Sequence, residues 1–369
     1  MEFAFHMPTK VVFGRGALDR LPSELDGLGA EEVLVVAGRG SMRRTGMLKR
    51  VLKLLEGRDV GVYEGVVSNP QADMVDEIAV EARGVDALVG LGGGSVLDAA
   101  KAASVVSANG GKTAEYLNGR DTPKPGPAVV AVPTTSGTGS EVTEVSVISA
   151  GEGLKRSFRS VYMYPAVALD DPELTKTMPR EVTASSGLDA LTHAVEALVS
   201  TRSQPICDVL CMEAAGVIIG SLESAYMEGE DMESREAMML GSLMAGFGIT
   251  HAAAGLAHGV SYGLHRVAGT SHGLACGILL PHVMRFNLGY DGGKYSLLAR
   301  HCGFKNAEDL ICRIEGLKRA LDVPERLSDA GATSDDADAM AEVSMTGSAK
   351  VNPRPVDREA IASFIRSIM

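Results

Sequence analysis

Between residues 31 and 133 the chain alternates short apolar runs with segments of helical periodicity, a rhythm that few folds accommodate. EEVLVVAG (31–38), DVGVYEG (59–65), DALVGLGGG (86–94) and PAVVAVP (127–133) read as buried strands. Residues about 41–56, 71–83 and 95–107 carry apolar positions at helical spacing. Strand–helix–strand repeats of this length require a parallel sheet with helices on both faces. EVSVISA (144–150) and VYMYPAVALD (161–170) add further β-rich pieces. After Pro172 the pattern becomes long Ala-, Met- and Leu-rich helical stretches with Gly and Pro breaks and almost no strand signal. We therefore expect an α/β domain at 1–175 and an all-helical domain at 176–369, with a ligand cleft between them as the default.

Composition narrows the function classes. A formal net charge of −12 argues against a nucleic-acid partner, which usually demands a basic face. No apolar run approaches the roughly 18 residues of a membrane span, so no membrane association is expected. MEFAFHMPTK lacks the basic and apolar regions of a secretory signal. Five cysteines without a CxxC make a disulfide framework improbable on spacing and fit a reducing cytoplasm.

Three loops suit polar ligands. In VGLGGGSVLDAAK (89–101) a strand runs into a helix through Gly92, Gly93 and Gly94. Backbone amides there can approach a phosphate closely, and the helix N-terminus adds a favourable dipole. Ser95 is placed to cap that helix. The run matches neither GxGxxG nor a Walker A, so a tight structural turn is the competing reading. In AVPTTSGTGSEVT (131–143) the hydroxyls include Thr134, Thr135 and Thr138, and the loop follows a strand's carboxyl end, where open α/β sheets bind ligands. A solvated Ser/Thr loop is the plain alternative. In VVAGRGSMRRTG (35–46) the place where dinucleotide folds carry a ribose-binding carboxylate holds Gly38 and Arg39, followed by Ser41, Arg43 and Arg44. That leans towards NADP over NAD.

His251, His258, His265 and His272 recur every seven residues. On one continuous helix seven residues rise about 10.5 Å, whereas metal–nitrogen bonds are about 2.1 Å. The ladder cannot serve one ion unless the chain turns back. VAGTSHG supplies a break at Gly269, Thr270 and Ser271, after which His272 can return towards His258. Upstream, Asp189 and His193 stand at i and i+4 on one helix face, either half a metal site or an ordinary helix start. Cys276 lies four after His272, and Cys207 and Cys211 are four apart; all three sulfurs are read as core residues.

Together these residues resemble the iron-containing (group III) alcohol dehydrogenases, related in fold to dehydroquinate synthase and glycerol dehydrogenase. The resemblance rests on FHMPTKVVFGRGAL, GGGSVLDAAK, PTTSGTGSEVT, GLDALTHAVE and LAHGVSYGL…SHGLACGILLPHVMRFN, spanning nearly the whole chain. It implies a Rossmann-like dinucleotide-binding domain followed by an all-helical domain that binds metal and substrate. It further implies that Asp189, His193, His258 and His272 hold one divalent metal, usually iron(II) and sometimes zinc. Gly93, Gly94 and Ser95 would hold a pyrophosphate. Asp98, Thr134, Thr135 and Thr138 would line the cofactor site, with Lys155 reaching the nicotinamide-side ribose. Many members carry an NAD-selecting aspartate at the Gly38 position, and its absence supports the NADP reading. Where many members have a second histidine, this chain has Tyr262, which leaves the proton path open. His251 is a pocket candidate, and His265 is expected to be structural.

The implied activity is metal-dependent, NAD(P)-linked oxidation of small primary alcohols or diols and reduction of their aldehydes. The metal would act as a Lewis acid on the substrate oxygen while hydride passes to or from the nicotinamide. Three neutral imidazoles and a carboxylate do not choose iron over zinc. A glycerol-type polyol dehydrogenase on the same fold is the nearest alternative, and a non-catalytic dinucleotide-binding protein a more distant one. Relatives often pair residues equivalent to 1–14 across a dimer, so a homodimer is expected.

Overall fold

The computed structural model describes residues 2–150 and 155–369. The chain forms two compact units. The first comprises His6–Thr135 and Ser140–Met178; the second comprises Pro179–Met369 with the segment ending at Phe5 and the short piece Ser136–Gly139. The sequence reading put the division at 175/176; the units part at 178/179, where Pro179 opens a long helix.

In the first unit, β1 (Lys10–Phe13), β2 (Glu32–Gly38), β3 (Asp59–Val66), β4 (Ala87–Gly92) and β5 (Ala128–Pro133) lie in one sheet. A separate antiparallel pair is formed by β6 (Val145–Ser149) and β7 (Lys155–Arg159), and β8 (Val167–Asp170) returns to the sheet. The sheet order is β1-β8-β5-β4-β2-β3, and every pair is parallel. Two expectations change here. VYMYPAVALD is not one β piece: residues 161–163 form a 3-10 turn before β8. Both β1 and β7 were unread.

The strands read as continuous apolar runs because both sheet faces are covered. Val33, Val35, Ala37, Val89 and Leu91 point into one core with α1 (Leu21–Leu28), α2 (Ser41–Arg44) and α3 (Met47–Leu54). Leu34, Val36 and Leu88 point into the other with α4 (Ala72–Glu81) and α5 (Gly94–Asn109). α6 (Thr113–Leu117) follows. Strand β2 leads outward to edge strand β3, whereas β4 leads to β5 on its other side. The strand order therefore reverses between β2 and β4, the switch point where open α/β sheets bind ligands.

The second unit is helical throughout its described residues. It contains α7 (Arg180–Val199), α8 (Pro205–Met227), α9 (Met232–Ala252), α10 (Leu256–Ala268) and α11 (His272–Asn287). The shorter α12 (Lys294–His301), α13 (Ala307–Ala320), α14 (Ala337–Ser344), α15 (Gly347–Lys350) and α16 (Arg358–Ser367) complete it. Contrary to the sequence reading, one helix among the described residues, α8, is long and apolar enough to cross a membrane by length and composition. In this structure its Cys211, Ala214, Ile218 and Leu222 lie in the unit's apolar core beside Leu188, Leu191 and Met238.

Candidate metal centre and cofactor loops

Asp189, His193 and Glu196 lie on successive turns of α7, one face of one helix. Two breaks bring His258 and His272 to that face. α9 and α10 meet at a bend of 101°, through Ala253 at φ 62° and ψ 165°. α10 then ends at Gly269 in the left-handed region, its N–H bonded to the His265 carbonyl, and α11 begins at His272. The histidine ladder is thereby folded back on itself. Two glycines set how closely α11 approaches α7. A Cβ on Gly273 would lie 2.2 Å from the Ser185 carbonyl oxygen, and one on Gly277 would lie 2.6 Å from Leu188 Cδ1. Only hydrogen fits at either place.

The result is a convergence of donor atoms. The Nε2 atoms of His258 and His272 lie 3.6 and 3.8 Å from Asp189 Oδ1. His193 stacks on His258, their centroids 4.4 Å apart. Each imidazole has its other nitrogen engaged. His193 Nδ1 is 3.3 Å from the Gly137 carbonyl, His258 Nδ1 is 2.6 Å from Glu196 Oε2, and His272 Nδ1 is 3.1 Å from Ser261 Oγ. Ligating histidines are oriented by such contacts, which leave Nε2 to the ion. Buried Asp189 Oδ1 and His258 Nε2 have no hydrogen-bond partner. An unpartnered carboxylate oxygen facing an unpartnered imidazole nitrogen is costly unless a cation lies between them. The residues fit a divalent metal.

Burial and mutual contact shift these groups in different directions: burial would lower the His258 pKa, yet Cys276, Asp189 and Glu196 raise it well above the ordinary imidazole value. Burial lowers the His193 pKa to about 4, outweighing the Asp189 charge, so its imidazole is neutral at pH 7. Burial would raise the Asp189 pKa, yet His193, His272 and His258 pull it well below the usual carboxylate range. A neutral imidazole and an ionised carboxylate are the protonation states that metal binding needs.

Glu196 escaped the sequence reading, and Cys276 was weighed there and read as core. Glu196 is buried and accepts from the Gly255 and Ala257 amides as well as from His258, tying α7 to the first turn of α10. The signal was present as HAVE (193–196), three residues beyond His193. Cys276, read as core, is buried, but its sulfur lies with Asp189, His258 and His272, all four donor atoms within 4.8 Å of one another. His193 is not in that group. Cys207 and Cys211 are buried, Cys211 in the apolar core and Cys207 accepting from Gln204 Nε2. The Tyr262 ring stacks on His272 at 5.4 Å and 12°. His251 stacks on Phe5 and bonds the Phe247 carbonyl, and His265 bonds the Thr270 carbonyl at the end of α10.

In the first unit, Gly38 ends β2 and Gly93 follows the carboxyl end of β4, at the switch point. α5 starts at Gly94 with Gly93 as its N-cap, and no side chain caps its first amides. Ser95 is therefore not the cap; it lies in the first turn, and its Oγ accepts from the Asn69 amide. Thr135 sits 3.2 Å from where a Gly93 Cβ would be, a close approach that favours glycine there. Thr134 is buried, its amide bonded to the Gly92 carbonyl, and Thr138 lies in the piece that belongs to the helical unit. The Asp98 carboxylate accepts from Ser140 Oγ and the Val147 amide. Beside it, fully buried Lys101 donates to the Ser140, Thr143 and Val145 carbonyls. Asp98 and Lys101 thus shape the hydroxyl-rich loop from beneath. Arg39 and Arg44 are exposed, whereas Arg43 is bound by Glu64 on β3 through Nε and Nη2. Lys155 is the first residue of β7, paired with Ser149.

Comparison with known proteins agrees with this arrangement. Residues 8–172 match the family model for iron-containing alcohol dehydrogenase, and residues 183–369 match the C-terminal model of the same family. The chain is 32% identical to the NAD-dependent methanol dehydrogenase of Bacillus methanolicus, covering 99% of each. Its structure is similar to sulfoacetaldehyde reductase from Bifidobacterium kashiwanohense in complex with NAD+ (TM-score 0.94, 29% identity, 100% of this chain and 99% of that one). It is equally similar to a 1,3-propanediol oxidoreductase (TM-score 0.94, 33% identity, 100% of both chains). The chain belongs to the iron-containing alcohol dehydrogenase family and is a metal-dependent, NAD(P)-linked oxidoreductase of alcohols and aldehydes.

Proposed function

We propose that this chain interconverts small primary alcohols or diols with their aldehydes, using NADP(H) in preference to NAD(H). The observation that carries the catalytic part is the buried Asp189 Oδ1 facing His258 Nε2, each without a partner. Asp189, His193, His258 and His272 would hold the metal. When bound, a divalent ion supplies Lewis acidity towards the substrate oxygen and a nicotinamide supplies or accepts hydride.

The protein's own part is orientation and proton handling. Glu196, Ser261 and the Gly137 carbonyl fix the three imidazoles through Nδ1, so little reorganisation remains when a ligand arrives. The His272 side chain is 26% exposed while the Asp189 and His258 side chains are buried, so substrate would enter on the His272 side. The stacking of Tyr262 on His272 supports a role for its phenolic oxygen in holding a proton. On the cofactor side, the bare Gly93–Gly94 helix start suits a pyrophosphate. Gly38 with exposed Arg39 and Arg44 supports room and charge for a 2′-phosphate; Arg43 contributes less, being held by Glu64.

We also read the protein as a homodimer of a reducing, cytoplasmic compartment. Edge strand β1, which pairs only with β8, and five free cysteines support that reading. The test is anaerobic aldehyde reduction by metal-stripped protein with NADPH and NADH in parallel, Fe(II) or Zn(II) being added back. Restoration by metal, loss in His258→Ala and a higher rate with NADPH are expected. Metal-independent turnover would overturn the mechanism, and equal rates would overturn the cofactor preference.

A further inference from the structure

We propose that zinc takes Cys276 rather than His193 as the fourth ligand of this site, its thiolate joining Asp189, His258 and His272, and that this gives the site a preference for zinc over iron(II). The inference rests on the metal reading above.

Cys276 and His272 are four residues apart on α11, on the same helix face, and Gly273 and Gly277 press that face against α7. The Cys276 sulfur is 3.9 Å from His272 Nε2. Its spread with Asp189 and His258 stays within 4.8 Å. Donors around a tetrahedral zinc, with bonds of about 2.0–2.3 Å, stand about 3.4–3.7 Å apart. The observed separations need only side-chain adjustment to close on one ion.

One further observation separates Cys276 from an ordinary core cysteine. The side chains grouped with its sulfur include Asp189 and His258, whose Oδ1 and Nε2 are buried and unpartnered. An apolar filler would leave those two atoms as they are; a sulfur donor and a shared cation satisfy them together. On ligation the thiol releases its proton to solvent and the sulfur lone pair forms the metal bond, with no change of oxidation state. A thiolate among imidazoles and a carboxylate moves the site towards zinc.

The test is X-ray absorption at the zinc edge of full-length protein stripped and reloaded with zinc, alongside Cys276→Ser and Cys276→Ala. A sulfur scatterer at about 2.3 Å in the native chain, absent from both variants, is expected. The zinc affinity of the variants, read by chelator competition, should fall at least about tenfold. Zinc bound in the native chain with nitrogen and oxygen neighbours alone overturns the thiolate assignment and leaves the metal site standing. A sulfur shell that persists in both variants places it on another cysteine and overturns the assignment too. Failure of the native chain to bind zinc or iron(II) overturns this inference and the metal reading together.

Discussion

Oε2 of Glu196 lies 2.6 Å from Nδ1 of His258, and the same carboxylate accepts the Gly255 and Ala257 amides. One buried side chain thus orients an imidazole and closes the turn that delivers it. Glu196→Gln keeps the shape and removes the charge. Metal affinity, measured by chelator competition, should fall about ten- to a hundredfold, with the fold retained. Glu196→Ala should also lose about 1–3 kcal/mol of unfolding free energy for each donor left unpaired, read by urea denaturation. Unchanged affinity in both variants would assign Glu196 to the turn alone.

Ala253 occupies backbone that glycine tolerates and L-residues avoid, at φ 62° and ψ 165°. Such strain costs about 1–3 kcal/mol, offset in part by the entropy that glycine adds to the unfolded chain. Ala253→Gly should therefore stabilise the protein by about 1 kcal/mol in chemical denaturation. A less stable variant would show that the turn is not strained.

Asp170 is buried at the end of β8 with neither carboxylate oxygen hydrogen-bonded, and burial together with nearby Glu141 raises its pKa well above the usual range. Glu141 is itself raised by burial to about 7. In the unfolded chain both ionise near pH 4, so folding takes up protons at neutral pH. Stability from this pair is greatest near pH 4 and declines as pH rises towards 7. Asp170→Asn should raise the melting temperature at pH 7.5 and lose that advantage near pH 4.5. An equal gain at both pH values would rule out the linkage.

A Cβ on Gly38 would meet Ser41 Oγ at 3.2 Å and Val96 Cγ2 at 3.7 Å, and the serine hydroxyl can rotate away. Gly38→Asp is thus sterically admissible and places a carboxylate where a 2′-phosphate would sit. The ratio of kcat/KM for NADH over NADPH should rise at least about tenfold, or about 1.4 kcal/mol. A ratio that stays put would remove Gly38 from the specificity argument.

How far the sequence could be read depended on whether the informative contact was local. Strands β2, β4 and β5 were legible because a sheet covered on both faces demands unbroken apolar runs. KVVF and KRSFR are too short and too charged to announce β1 and β7; their pairing with β8 and β6 decides them. Asp189 and His193 could be paired through helical spacing, and the Gly269 break showed where α10 ends. Ser95 was misplaced because helix α5 starts two residues earlier than its cap signal suggests. Glu196 and Cys276 were passed over for one reason: each sits one turn from a site histidine, and only the approach of α10 or α11 to α7 reveals what it faces.

That approach rests on Gly273 and Gly277. The dimensions of the candidate metal centre are therefore set by two hydrogen atoms on the far side of its proposed ligands. A chain carrying alanine at either place would keep every donor and lose the spacing between them, so an intact ligand motif alone would misjudge it.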